Sequence, residues 1–202
     1  MSHRRHSFTP LQIRFEDRFC NDKGRTCKTY HDGVDFKCFN RENPEDQQRE
    51  EWKECPFDPS YKSHKFKSAG LRYGISTCIQ TGETVSCHGP FPAGKWHDLT
   101  ICRQHVKPML APGEMVEADA GHRGDETIRE PKDWWCRSEK RAKKRVASRH
   151  EAVNGRLENF RCLRHQFRHN RHEHKHHFHT AAVTTQLMIR KYGQYPVSHQ
   201  FS

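Results

Sequence analysis

Lys28-Thr29-Tyr30-His31-Asp32-Gly33-Val34-Asp35-Phe36-Lys37-Cys38 is the stretch on which the reading of the fold turns. Its β-branched and aromatic residues predict a first strand beginning at 28–30 and running to residue 36 or 38. Strand alternation sends Asp32 and Asp35 to opposite faces. Residues 71–80 have the same character. Thr81-Gly82-Glu83 supplies turn chemistry and 84–87 reads as the returning strand, so the two form a hairpin.

Beyond the hairpin, Gly89-Pro90-Phe91-Pro92-Ala93-Gly94 reads as a loop. A helix is expected from Asp98, its N-cap, with Leu99, Cys102 and Val106 as the apolar face and Pro108 and Pro112-Gly113 as its end. Residues 115–119 read as a short strand that finishes on Asp119. A charged loop over 120–136 follows, with Trp134-Trp135-Cys136 near its end. A long helix from 137 to about 160 would bury Ala142, Val146, Val153, Leu157 and Phe160. A last helix over about 176–191 would use Phe178, Ala182, Leu187 and Ile189, with Tyr192-Gly193 stopping it.

The sum is an α/β domain, a mixed sheet flanked by helices. It occupies residues 28–192, between an irregular basic segment (1–27) and a short tail (193–202), with a charged, Pro-bounded loop over 40–58.

Composition narrows the partners. The 202 residues carry a formal charge of +11, which suits a polyanion, and nucleic acid is the ordinary one. Hydrophobic residues are only 32% of the chain, so a small core is expected. No apolar run approaches the roughly 20 residues that span a bilayer, and no apolar stretch follows the basic start as in a signal peptide. Nine cysteines, an odd number with no Cys-x-x-Cys pair, read as reduced thiols rather than as a disulfide or zinc framework. An intracellular location is the expectation.

Three acids stand in local motifs: Asp32 in His31-Asp32-Gly33-Val34-Asp35-Phe36, Asp119 in Val116-Glu117-Ala118-Asp119-Ala120-Gly121-His122-Arg123-Gly124, and Glu151 in Arg149-His150-Glu151-Ala152-Val153-Asn154-Gly155-Arg156-Leu157. Each has an ordinary reading: a turn aspartate before glycine for the first two, a solvated helix face for Glu151. Asp119 is the strongest on local grounds, because ligands gather at the carboxyl ends of strands in α/β sheets.

Further runs accompany the acids: Tyr61-Lys62-Ser63-His64-Lys65-Phe66-Lys67, Gly70-Leu71-Arg72-Tyr73-Gly74, Cys78-Ile79-Gln80-Thr81-Gly82, and Gly89-Pro90-Phe91-Pro92 leading to Trp96-His97-Asp98. With them the chain resembles, from about residue 32 to 189, the DDE-type endonuclease domain of Harbinger-like transposases. The most specific parts are Gly-Pro-Phe-Pro before the Trp/Asp helix start, and Arg149-His150-Glu151 with Asn154-Gly155-Arg156.

The resemblance implies a ribonuclease-H-like fold. It implies Asp32, Asp119 and Glu151 as catalytic, metal-binding acids on the first strand, after the fourth strand and on the late helix. The implied cofactors are two Mg²⁺ or Mn²⁺ ions and the implied reaction is hydrolysis of DNA phosphodiesters. Assembly as an oligomer on DNA ends, a separate DNA-binding protein and a nuclear location also follow from it. Only 31 residues precede Asp32, fewer than the helix-turn-helix region of full transposases needs, so an N-terminally truncated copy is expected. Val34, His122 and Ala152 stand where the family usually has Thr, Tyr and Thr. That difference motivates a second reading, a non-catalytic relic acting as a basic DNA-binding module.

Lys140-Arg141-Ala142-Lys143-Lys144-Arg145 could contact phosphates or serve as a nuclear-localisation patch; Asn154 and Arg156 are further candidates for nucleic-acid contact. His165, His169, His172, His174, His176, His177 and His179 read as a polar low-complexity stretch, with zinc binding through pairs such as His172 and His176 as the sharper alternative.

Overall fold

A computed structural model describes residues 12–19, 26–38 and 58–193. Five strands form one mixed sheet: β1 (Cys27–Lys37), β2 (Gly70–Cys78), β3 (Thr84–Pro92), β4 (Met115–Glu117) and β5 (Ile128–Arg129). Their order is β3-β2-β1-β4-β5. The pairs β1–β2 and β2–β3 are antiparallel, while β1–β4 and β4–β5 are parallel. The central strand therefore has an antiparallel neighbour on one side and a parallel one on the other. Asp32 pairs with Ile75 and Tyr30 with Glu117.

The helices are α1 (Asp98–Ile101), which continues as a π-helical turn (Cys102–Val106), then α2 (Arg137–Leu157), the short α3 (Arg161–Arg164) and α4 (His174–Tyr192). They cover both faces of the sheet. On one, Val34, Phe36, Leu71, Tyr73 and Ile75 pack against Val153 and Leu157 of α2 and Phe178, Ala182 and Ile189 of α4. On the other, Val85, Val116 and Ala118 pack against Cys102 and Val106 with Phe15. No described helix is long and apolar enough to cross a membrane.

Polar side chains complete the core. His31, His122, His150, His174 and Gln186 are fully buried. Each makes at least one hydrogen bond, as buried polar groups must. His150 Nε2 donates to the Ile75 carbonyl at 3.1 Å, and Tyr73 Oη lies 2.8 Å from His174 Nδ1. Gln186 Oε1 accepts from the Thr84 amide at 2.9 Å, and its Nε2 donates to Glu83 at 2.8 Å.

Several expectations need correction. The stretch 89–94 is not all loop, since β3 continues to Pro92, with Leu71 opposite Pro92 and Arg72 opposite Phe91. The charged segment 120–136 holds β5, whose two residues are too few to show a period; Ile128 is buried there against Val116. The irregular N-terminal segment contains a 3₁₀ turn, Phe15–Phe19, anchored by Arg18, whose guanidinium donates to both carboxylate oxygens of buried Glu114 at 2.8 and 2.9 Å.

In α2 the inward stripe is Lys143, His150, Val153, Asn154 and Leu157, while Ala142 is exposed. The helix ends at Leu157, short of half-buried Phe160. Leu187 of α4 is 51% exposed, because Gln186 takes the inward position. The charged loop expected over 40–58 lies outside the described residues except for Asp58. Seven cysteines are described and all are free; Cys20 and Cys55 fall outside the described residues.

Candidate metal centre

Asp32 sits midway along β1, where the Gly33 amide donates to its Oδ1 at 2.8 Å. Asp119 lies two residues past the end of β4 rather than on it. It caps a 3₁₀ turn (Ala120–His122), and its Oδ1 accepts from the Gly121 amide at 2.9 Å. The same turn brings His122 back, so that its Nδ1 is 2.7 Å from Asp119 Oδ1. A carboxylate only accepts, so this imidazole donates from Nδ1. One ligand atom from each of Asp32, Asp119 and His122 lies within 4.8 Å of the others. It is the one group of three or more such ligands among the described residues.

The electrostatics of the two aspartates differ. Burial pushes the Asp32 carboxyl up to about 7; the Asp119 and Asp98 carboxylates add to this, and the Gly33 amide opposes it. Asp119 is held below its usual range by the His122 hydrogen bond and, less strongly, by the Gly121 amide. One carboxylate is thus ionised at neutral pH while the other is strained by lack of solvent and like charge, a condition that a cation relieves.

A fourth acid stands beside them. Asp98 was expected to be an N-cap, but His97 holds that place and Asp98 is the first residue of α1. A Cβ on Gly33 would meet Asp98 Oδ1 at 1.7 Å, so the glycine is what lets this carboxylate lie against β1. Arg72 draws it there. Its guanidinium holds Asp35 at 2.6 Å, donates to the Trp96 carbonyl at 3.0 Å and pairs with Asp98 at 3.4 Å. Asp35, the rival of Asp32, is fully engaged by Arg72 and by Ser63 Oγ at 2.6 Å, on the opposite face as alternation requires.

Gly33→Ala is therefore expected to displace Asp98 and to destabilise by about 1–3 kcal/mol. In an Asp98→Ala background the same change should have little effect, read by a double-mutant unfolding cycle. Equal losses in both backgrounds would mean that Asp98 does not fill that space.

Glu151 does not join the group. It is exposed on α2, and its charge, like those of Asp32 and Asp119, adds to burial in raising the buried Tyr30 phenol. Its neighbour His150 turns inward and packs on Tyr30 with ring centroids 5.3 Å apart.

Of the basic candidates, Lys140, Arg141, Lys144 and Arg145 are exposed. Lys143 is not on that surface: it is buried, pairing with Glu117 at 2.9 Å and donating to the Arg129 carbonyl at 2.7 Å. Asn154 is buried against His150, and Arg156 donates to the Gly193 carbonyl at 3.2 Å. Among the late histidines, His174 belongs to the core; His169 and His177 stack at 6.4 Å. No three of them come together as ligands among the described residues.

His122 was missed as a site residue. The only signal was that an imidazole follows Asp119 by three positions, which becomes meaningful once the 3₁₀ turn is formed. No family model, curated protein or solved structure matches the chain.

Proposed function

We propose that this chain is a divalent-metal-dependent DNA endonuclease domain of transposase type, built on a ribonuclease-H-like sheet. The observation that carries the reading is the meeting of Asp32, from the middle strand, with Asp119, from just beyond the parallel strand beside it. A mixed sheet flanked by helices, with Asp32 on the first strand and Asp119 just after the fourth, is compatible with the fold that the resemblance implies. Asp32 and Asp119 would hold the first cation, and Glu151 is the carboxylate available to a second. Divalent cations so held, Mg²⁺ or Mn²⁺, supply Lewis acidity toward a phosphodiester and activate water. Lys140, Arg141, Lys144 and Arg145 project from the helix that carries Glu151 and would attract the DNA backbone.

Plasmid nicking with Mg²⁺ or Mn²⁺ tests the reading. Asp119→Asn keeps the volume and the capping oxygen but removes the charge, and should lower cutting by at least about 100-fold, some 3 kcal/mol in barrier, with the fold and salt-sensitive DNA binding retained. Wild-type protein that binds DNA and nicks nothing with either ion would favour the non-catalytic DNA-binding module, to which the separation of Glu151 from the other two acids also points.

A further inference from the structure

We propose that the histidine-rich face over residues 161–179 is a second contact for the DNA backbone, one that tightens as the pH falls from about 8 to about 5.5. It shares with the preceding reading only the partner, and it needs neither a cation nor Glu151.

The face is defined by what turns inward. Leu163, Phe167, His174 and Phe178 are buried, and the Phe167 amide donates to the Lys37 carbonyl at 2.9 Å, which pins the segment to the end of β1. His165, His169, His172, His176, His177 and His179 are left exposed. Several are held where they stand. The Asn170 side chain accepts from the His172 amide at 3.0 Å and caps the turn Arg171–Glu173. His169 and His177 stack at 6.4 Å, and each meets Phe167 edge to face. From that turn into α4, His172, His176 and His179 follow at spacings of four and three, which places them on one side.

The charge of this face is one-sided. Arg161, Arg164, Arg168 and Lys175 are exposed on it, and Glu173 is the only acid between residues 161 and 180. It is cationic even with neutral imidazoles, and each exposed histidine that takes up a proton adds to it. The elements packed against it offset little. The end of α2 brings Arg156 and Glu158, and β1 brings Lys37. Asp58, held below its usual range mainly by Ser60, is also within reach of the Arg171 charge. Glu83, before β3, pairs with Arg190 at the far end of α4, and His88 of β3 stacks on His105 instead. Burial, and after it the Lys175 and His176 charges, lower the His179 pKa. A phosphate would offset those two charges and favour its protonation.

The chemistry fits a phosphate backbone rather than a lipid surface. Among the described residues the exposed large hydrophobics are Phe19, Trp134, Leu187, Met188 and Tyr192, none of them on this face. A helix that lies on a membrane needs an apolar side to insert, whereas phosphates of DNA need only cations.

Fluorescence anisotropy of a labelled short duplex, in EDTA and about 0.1 M salt, tests this on three proteins. They are wild type, His172→Gln/His176→Gln/His179→Gln, and Arg168→Gln/Lys175→Gln, with circular dichroism on each. Wild type should bind at least about tenfold more tightly at about pH 5.5 than at about pH 8, with a steeper salt dependence. The triple variant should match wild type at the higher pH and lose most of that gain. Asp32 also takes up a proton near pH 7, but it is the same in both proteins, so their difference excludes it. Arg168→Gln/Lys175→Gln should lower the salt slope at the acid pH by about two.

A pH gain that the triple variant keeps would overturn the proposal. So would an unchanged salt slope in Arg168→Gln/Lys175→Gln, even if the triple variant failed to fold. Phosphatidylserine vesicles give the remaining arm. If the triple variant loses acid-dependent pelleting with them yet binds DNA as wild type does, the face serves a membrane surface and the proposal fails. Each of these results leaves the nuclease reading to the nicking assay. Wild type that binds no DNA at either pH would overturn both DNA contacts together.

Discussion

Asp32→Asn should abolish divalent-ion binding and at the same time raise the melting temperature of the metal-free protein at pH 8. The Asp32 carboxyl is raised to about 7 from an ordinary 3.8 by burial and, secondarily, by the Asp119 and Asp98 carboxylates. Between these pH values the folded chain keeps a proton that the unfolded chain has released. The associated stability is fully present below about pH 4 and is lost as the pH rises to about 7. At about 1.4 kcal/mol per pH unit the loss approaches roughly 4 kcal/mol. Partial solvation of Asp32 reduces it to roughly 2 kcal/mol.

Asparagine carries no such charge. The variant should melt about 4–8 °C above wild type at pH 8 and alongside it at pH 4. Added Mn²⁺ should raise the melting temperature of wild type and leave the variant unmoved. A variant that gains nothing between pH 4 and pH 8 would show that Asp32 is not a desolvated, repelled carboxylate. The expected gain, by contrast, marks the site as a place where stability is given up for binding, as functional sites commonly are.

Phe178→Ala should be the most damaging single change in the core. The ring is fully buried and stacks on Tyr73 with centroids 3.8 Å apart and planes 15° off parallel; Phe36 lies 5.8 Å away. It locks α4 to the strand that also receives His174 through the Tyr73 hydroxyl. Removal of a buried phenyl costs about 3–5 kcal/mol, or on the order of 10 °C in a domain of this size. Leu187→Ala, on the exposed side of the same helix, should stay within about 0.5 kcal/mol. Urea unfolding of both variants checks the pair. A loss below about 1 kcal/mol for Phe178→Ala would mean that α4 does not pack on β2 as described.

The contrast between these two apolar residues shows where sequence reading stops. Both Phe178 and Leu187 suit a helix, and α4 was expected within two residues of its actual start. Which positions face inward depended on the neighbours. Gln186 is buried because the Thr84 amide and Glu83 satisfy it, and Lys143 is buried because Glu117 does. Hydrophobic periodicity cannot register a polar side chain whose partner is a hundred residues away. Asp98 is a further case, a residue that reads as a cap and is drawn off by Arg72 across a glycine.

By itself the sequence determined the α/β class, the first strand and its hairpin, the long basic helix, and the place of Asp119 close after a short strand; Asp32 was singled out by the family resemblance. These follow from local periodicity, turn chemistry and the placement of an acid after a short strand, all properties of a few neighbouring residues. Only the tertiary structure decided that His122 meets those two acids while Glu151 stays apart on α2, and that buried histidines fill a core short of apolar residues. Distance in space and loss of solvent set those outcomes, and both arise when segments far apart in the chain are packed together.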